Sequence, residues 1–165
     1  LHPVAHSFPT RRSSDLDLSA LVDDACDLFE AVFEERQVEF THHVPPGRRL
    51  EGNPALLAQA VANLLDNAGK FTPPGGRVEL ELGTTGDARF VEVRDSGPGI
   101  PEERRAEVMR RFTRLDSARD TPGHGLGLAL VHAVAKLHRG GLELGDNRPG
   151  LKARLLLAPT LADEK

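Results

Sequence analysis

The residues best suited to chemistry are Asp95, Asn63, Asn67 and Lys70, each set on an element that fixes its direction. Asp95 opens the run Asp95-Ser96-Gly97-Pro98-Gly99-Ile100-Pro101 and follows Ala88 to Arg94, where Val91 and Val93 alternate with Glu92 and Arg94. That alternation predicts a strand with Asp95 at its C-terminal edge. Gly97 and Gly99 carry no Cβ, so a ligand can approach the backbone of the turn closely. An ionised aspartate only accepts hydrogen bonds, so it suits the exocyclic amine of adenine and repels the carbonyl that guanine carries there. On its own the pattern fits a purine pocket and a tight surface turn equally.

Asn53-Pro54 predicts a helix with a good cap and a proline at its first position, running to about Ala68. Leu57, Ala60, Val61, Leu64, Leu65 and Ala68 share one face and Gln59, Asn63, Asn67 and Lys70 the other, with Leu56 the exception. Asn63 and Asn67 are neighbours on that polar stripe. Their amide oxygens can ligate magnesium and the lysine can meet a phosphate, although a solvated helix face has the same composition. Gly123-His124-Gly125-Leu126-Gly127-Leu128 leads into a second helix whose core-facing residues include Leu130, Val131, Val134 and Leu137. Free N–H groups at such a start bind anions; a bare glycine run is also an ordinary loop.

These segments must be positioned by a single domain, since 165 residues provide one substantial core and not two. A first helix is expected from about Leu18 to Glu35, with Leu18, Leu21, Val22, Ala25, Leu28, Phe29, Val32 and Phe33 at helical spacing. Strands are expected at Val38 to Val44 and Arg77 to Gly83, the latter pairing with Ala88 to Arg94 across Thr84-Thr85-Gly86-Asp87. Leu142 to Gly145 and Leu151 to Leu157 read as a closing hairpin. The expected architecture is an α/β (α+β) two-layer sandwich, with helices on one face of a mixed sheet. No internal repeat is present, and no apolar run is long enough to cross a bilayer.

Jointly and in this order, the segments resemble the nucleotide-binding boxes of sensor histidine kinases, within the wider gyrase, chaperone, kinase and MutL ATPase superfamily. Asn63 to Pro73 is similar to the asparagine box, Asp95 to Pro101 to the first glycine box and Gly123 to Leu128 to the second. Arg111-Phe112-Thr113-Arg114 is similar to the phenylalanine box at the root of the lid over ATP. The resemblance spans about residues 17–159 and implies a Bergerat-type ATP-binding fold with a mostly antiparallel sheet. It further implies that Asp95 accepts from the adenine amine, that Gly97, Gly99 and Ile100 shape the base site, and that Phe71 lines it. Asn67 would hold magnesium with support from Asn63, and Lys70 would contact phosphate. Gly123, His124, Gly125, Leu126, Gly127 and Leu128 would cradle the phosphates, while Phe112 anchors the lid and Arg114 reaches a phosphate. Gly69, Met109, Thr113 and His124 depart from the family pattern, and a glycine at position 69 is expected to loosen the base pocket.

By the same resemblance, the full protein is a two-component sensor kinase, homodimeric and anchored in the bacterial inner membrane through upstream segments, with this domain cytoplasmic. It would phosphorylate a histidine on an upstream dimerisation domain and then a response regulator. None of the seven histidines here lies in a Ser-His-Glu-Leu-Arg-Thr-Pro sequence such as that family uses. A hydrolysing ATPase of the superfamily is a second reading, but it needs a glutamate base one turn before the magnesium-binding asparagine, where this chain has Asn63. A non-catalytic nucleotide-sensing module is a third. A dinucleotide-binding fold fails, because its fingerprint needs strand, glycine turn and helix within one compact unit.

The remaining features are quieter. A net charge of −4 with mixed signs, and the absence of Trp and Tyr, argue against nucleic acid as a partner. Cys26 reads as a small core hydrophobe. Adjacent His42 and His43 on a strand point to opposite faces and cannot share a metal, and His132 and His138 read as partly exposed surface histidines. His6 to Leu16 matches a translated frame of a common short-read sequencing adapter. Residues 1–16 are therefore expected to include foreign sequence joined to a gene fragment that starts near Asp17.

Overall fold

A computed structural model of the protein describes residues 14–110 and 126–159. The chain runs β1 (Ser14–Asp17), α1 (Leu18–Glu35), β2 (Glu39–His43), β3 (Arg49–Gly52), α2 (Pro54–Phe71), β4 (Arg77–Thr85), β5 (Ala88–Asp95), α3 (Glu102–Arg110), α4 (Leu126–Leu137), β6 (Gly141–Asp146) and β7 (Leu151–Leu157). Five strands form a mixed sheet in the order β2-β4-β5-β7-β6, in which only β2 and β4 are parallel. β1 and β3 make a separate antiparallel pair. Ser14, Asp15 and Leu16 pair with Gly52, Glu51 and Leu50; Leu16 enters the core, and Asp15 pairs with Arg49 at 2.9 Å. No helix among the described residues is long and apolar enough to cross a membrane.

The two layers follow from periodicity. Val78, Leu80 and Leu82 of β4, Val91 and Val93 of β5, and Ala153, Leu155 and Leu157 of β7 point to one face and are buried in a single core with α1, α2 and α4. The opposite face is ionic. Arg94 reaches Glu79, Glu81 and Glu92, and Glu92 is also held by Arg154 at 2.6 Å. The Arg154 guanidinium lies 4.1 Å from the centroid of Phe90, whose ring fills the space over Gly83.

Helix α1 begins where Asp17 accepts from the Ala20 N–H at 3.0 Å. Leu28, spaced as a core residue, is 73 % exposed; it lies on the outer flank of α1, where the packed stripe is already filled by Val22, Ala25, Cys26 and Phe33. Cys26 is buried and free. Desolvation, reinforced by Asp23, Asp27 and Glu30, pushes its thiol up to about 12.

Helix α2 starts as expected, with the Asn53 side chain accepting from the Leu56 N–H and Pro54 at the first position. It ends one turn later than the sequence suggests, at Phe71. Thr72 is extended (φ −89°, ψ 119°) because Pro73 follows it, and its Oγ1 donates to the Ala68 carbonyl at 2.7 Å. Gly69 is buried inside this last turn. A Cβ there would lie 2.7 Å from Phe33 Cε1 and 2.8 Å from Arg36 Nη1, so Gly69 serves the approach of α1 to α2.

His138 is also more than a surface histidine. Its Nδ1 bonds the Val134 carbonyl at 2.8 Å and its Nε2 accepts the Asn53 N–H at 3.0 Å, joining the end of α4 to the start of α2. The bond from the Asn53 amide fixes the tautomer, with the proton on Nδ1.

Candidate functional site

Asp95 occupies the same side of β5 as Val91 and Val93, so the pleat directs its carboxylate between sheet and helices, where it is only 4 % exposed. Its Oδ1 accepts two backbone N–H groups, from Gly97 at 2.9 Å and from Leu151 at 3.2 Å, while Oδ2 takes neither bond. Burial raises the carboxyl pKa above its ordinary value, and the two N–H bonds offset part of that shift. The arrangement leaves a rigid acceptor facing a cavity of about 180 Å³.

Three helices and a turn enclose this cavity. Asn67 and Phe71, one turn apart on α2, form one part of the wall, and Pro98, Gly99, Ile100 and Pro101 form another. Val108 and Arg104 of α3, Leu128 of α4 and Leu151 of β7 complete it. The extra turn of α2 is what brings Phe71 to the cavity. Gly97 is needed for close packing, since a Cβ there would meet the Phe71 carbonyl oxygen at 2.5 Å. Gly99 has φ +75°, a conformation that glycine adopts without strain.

The β6–β7 turn supports Asp95 from below, and nothing in its sequence announces this role. Asn147 Nδ2 donates to the Asp95 carbonyl at 2.8 Å, and Gly150 has φ +117°. A Cβ at Gly150 would fall 1.7 Å from that same carbonyl oxygen. Arg105 ties α3 into the assembly by donating to the Ile100 carbonyl at 3.1 Å and pairing with Asp146. The Asn147-Arg148-Pro149-Gly150 run signals a turn, but its contact with a residue some fifty positions earlier is a matter of sheet order.

Asp95, Asn67, Phe71, Gly99, Ile100 and Leu128 therefore meet at one cavity. Gly97 stands behind Asp95 and donates to it. Asn63 is half-buried one turn before Asn67 and does not line the cavity, and Gly127 is half-buried in the first turn of α4. Lys70 is exposed outside the lining, its Nζ 2.9 Å from Asp66. Phe112, Arg114, Gly123, His124 and Gly125 lie outside the described residues, as do Thr113 and the lid as a whole; for Leu126 only the backbone, at the start of α4, is described. Among the described residues no three His, Cys, Asp or Glu side chains are placed to hold a metal ion. The amide oxygen of Asn67 suits magnesium of the kind that takes one or two protein ligands and the rest from phosphate and water.

Residues 52–161 match the model of the family described as histidine kinase-, DNA gyrase B-, and HSP90-like ATPase. The chain is 44 % identical over 137 residues to the signal transduction histidine-protein kinase/phosphatase MprB of Mycobacterium sp. (strain KMS), an alignment covering 82 % of this chain and 26 % of that protein. It thus spans about a quarter of the length of the curated relative. The solved mycobacterial sensor histidine kinase MprB superposes with a TM-score of 0.73 at 36 % identity, covering 89 % of this chain and all of the other. The ATP binding domain of PrrB from Mycobacterium tuberculosis gives 0.69 at 28 % identity, covering 88 % and 96 %. The chain belongs to the histidine kinase-, DNA gyrase B-, and HSP90-like ATPase family. Within it, the chain is the ATP-binding catalytic domain of a histidine kinase.

Proposed function

We propose that this domain binds ATP with the adenine amine on Asp95 and presents the γ-phosphate to a histidine of an upstream dimerisation domain. A single observation carries the base assignment: a nearly inaccessible carboxylate, fixed by two backbone N–H groups on one oxygen, faces an otherwise mostly apolar cavity. Phe71, Ile100 and Val108 offer the base apolar contact. Asn67 would hold magnesium with Asn63 in support, and Lys70 would exchange Asp66 for a phosphate. Magnesium held there would supply neutralisation of the phosphate charge.

Phosphoryl transfer asks the protein for positioning and charge compensation more than for covalent chemistry. Asn63 stands where a hydrolytic relative needs a base, and an amide cannot take a proton from water, so water is not activated. The phosphate is then preserved for transfer. In the full protein, which we infer to be a homodimeric sensor anchored in the bacterial inner membrane, it would pass from histidine to a response regulator. The curated relative is about four times as long as the segment aligned with this chain, which is consistent with further domains.

The test uses the chain with and without its native upstream segment. Alone, it should bind magnesium-ATP, hydrolyse it very slowly and place no acid-labile phosphate on its own histidines. With the dimerisation domain added, phosphate should appear on that domain's histidine and be lost with Asn67→Ala. Rapid turnover by the isolated chain, or labelling that survives Asn67→Ala, would overturn the proposal.

A further inference from the structure

Among the described residues lining the cavity Arg104 is the one cation, and none of the described carboxylates pairs with it. Its neighbour Arg105 is fully engaged with Ile100 and Asp146, which fixes the rotation of α3 about its axis. That rotation sends Arg104 and Val108, one turn apart, to the cavity side. Glu103 and Glu107 lie on the same exposed helix without forming an ion pair with Arg104. The guanidinium therefore lies exposed beside the cavity, with no side-chain partner among the described residues.

We propose that Arg104 is a further base-binding contact that lays its guanidinium against the exposed face of the adenine ring, resting on the nucleotide reading above. Asp95 holds the amine edge at the closed end, and Ile100 and Val108 contact the ring from the wall that Arg104 shares. A planar, weakly hydrated cation one turn before Val108 is suited to cover the part of a purine that this wall leaves open. Phosphate recognition is assigned instead to Asn67 of α2 and to the backbone start of α4. The contact would thus depend on the base and not on the length of the phosphate chain.

The experiment measures the affinity of adenosine, ADP and magnesium-ATP by calorimetry for the unmodified chain, Arg104→Ala and Arg104→Lys. An exposed side chain without partners can be removed without unfolding, which an unchanged melting temperature would verify. Arg104→Ala should weaken all three ligands by the same factor, about two- to fivefold for a cation stacked on a ring. Arg104→Lys should recover little of it, since an ammonium cannot lie flat on the base. A loss confined to ADP and ATP would make Arg104 a phosphate contact and overturn the inference. Unchanged affinities for all three would overturn it too. If the unmodified chain binds none of them, the nucleotide reading itself fails, and this inference with it.

Discussion

Keeping Asp95 ionised opposes folding. Its folded-state pKa lies above the ordinary value, so its favourable contribution is complete at pH values below that ordinary value and is lost as pH rises through the folded pKa. At neutral pH the buried charge is a net burden. Asp95→Asn retains a carbonyl oxygen for the Gly97 and Leu151 N–H groups, yet sets an amide donor against the adenine amine. The variant should melt at or above the wild-type temperature at pH 7, with the advantage shrinking toward pH 4. It should also lose ATP affinity by about 100-fold or more. The unmodified chain should prefer ATP to GTP by about 10⁴ where the carbonyl of guanine meets the carboxylate. Calorimetry with both nucleotides and thermal melts across pH test both statements; equal affinities would remove Asp95 from the base site.

At the scale of elements, two glycines have opposite consequences for binding. Alanine at position 69 gains helix propensity of about 1 kcal/mol but forces a methyl group against Phe33, an overpacking worth about 1–3 kcal/mol. Gly69→Ala should lower stability modestly and leave the ATP affinity of the folded protein unchanged. At Gly150 the added carbon meets the backbone oxygen of Asp95 and the φ is one that side chains avoid, so Gly150→Ala should cost more than about 3 kcal/mol. It should also weaken ATP in whatever fraction folds. Urea denaturation and nucleotide titration of the two variants check the contrast, and an affinity loss in Gly69→Ala would return that residue to the pocket.

The same contrast explains what could be read in the sequence. α1, α2, β5 and β7 announce themselves because their burial is periodic and their ends are capped or turned by local residues. The placement of Asp95 and Asn67 on their elements is legible for the same reason. α3 was not, since Glu102 to Arg110 has no fully buried residue and only Val108 and Met109 packed against the core, and β1 and β3 span four residues each. Asn147, Gly150 and Leu151 were hidden because their contribution is backbone geometry against a strand distant in the chain. The packing role of Gly69 is hidden in the sequence because its neighbour is α1, and spacing within one helix does not reveal which helix lies across from it.

For the whole molecule, the strand order places two hairpins, β4–β5 and β6–β7, side by side, with β5 against β7 as the seam. Everything from Ser14 to Arg110 lies on one side of that seam in the chain, and everything from Leu126 to Pro159 on the other. Asp95 belongs to the first part, and the Leu151 amide and Asn147 that hold it belong to the second. The base site is thus divided between two separable pieces of polypeptide. Cleaving the backbone between residues 111 and 125 should yield two peptides that reassociate through the β5–β7 ladder and the buried contacts of α2 with α4. Adenosine nucleotide, having no complete site on either piece, should act as their glue, tightening association in proportion to its concentration. Size-exclusion chromatography of the two peptides with and without ADP would display it, and association indifferent to ADP would refute it. A domain built this way carries within its topology the means to report a nucleotide by assembly.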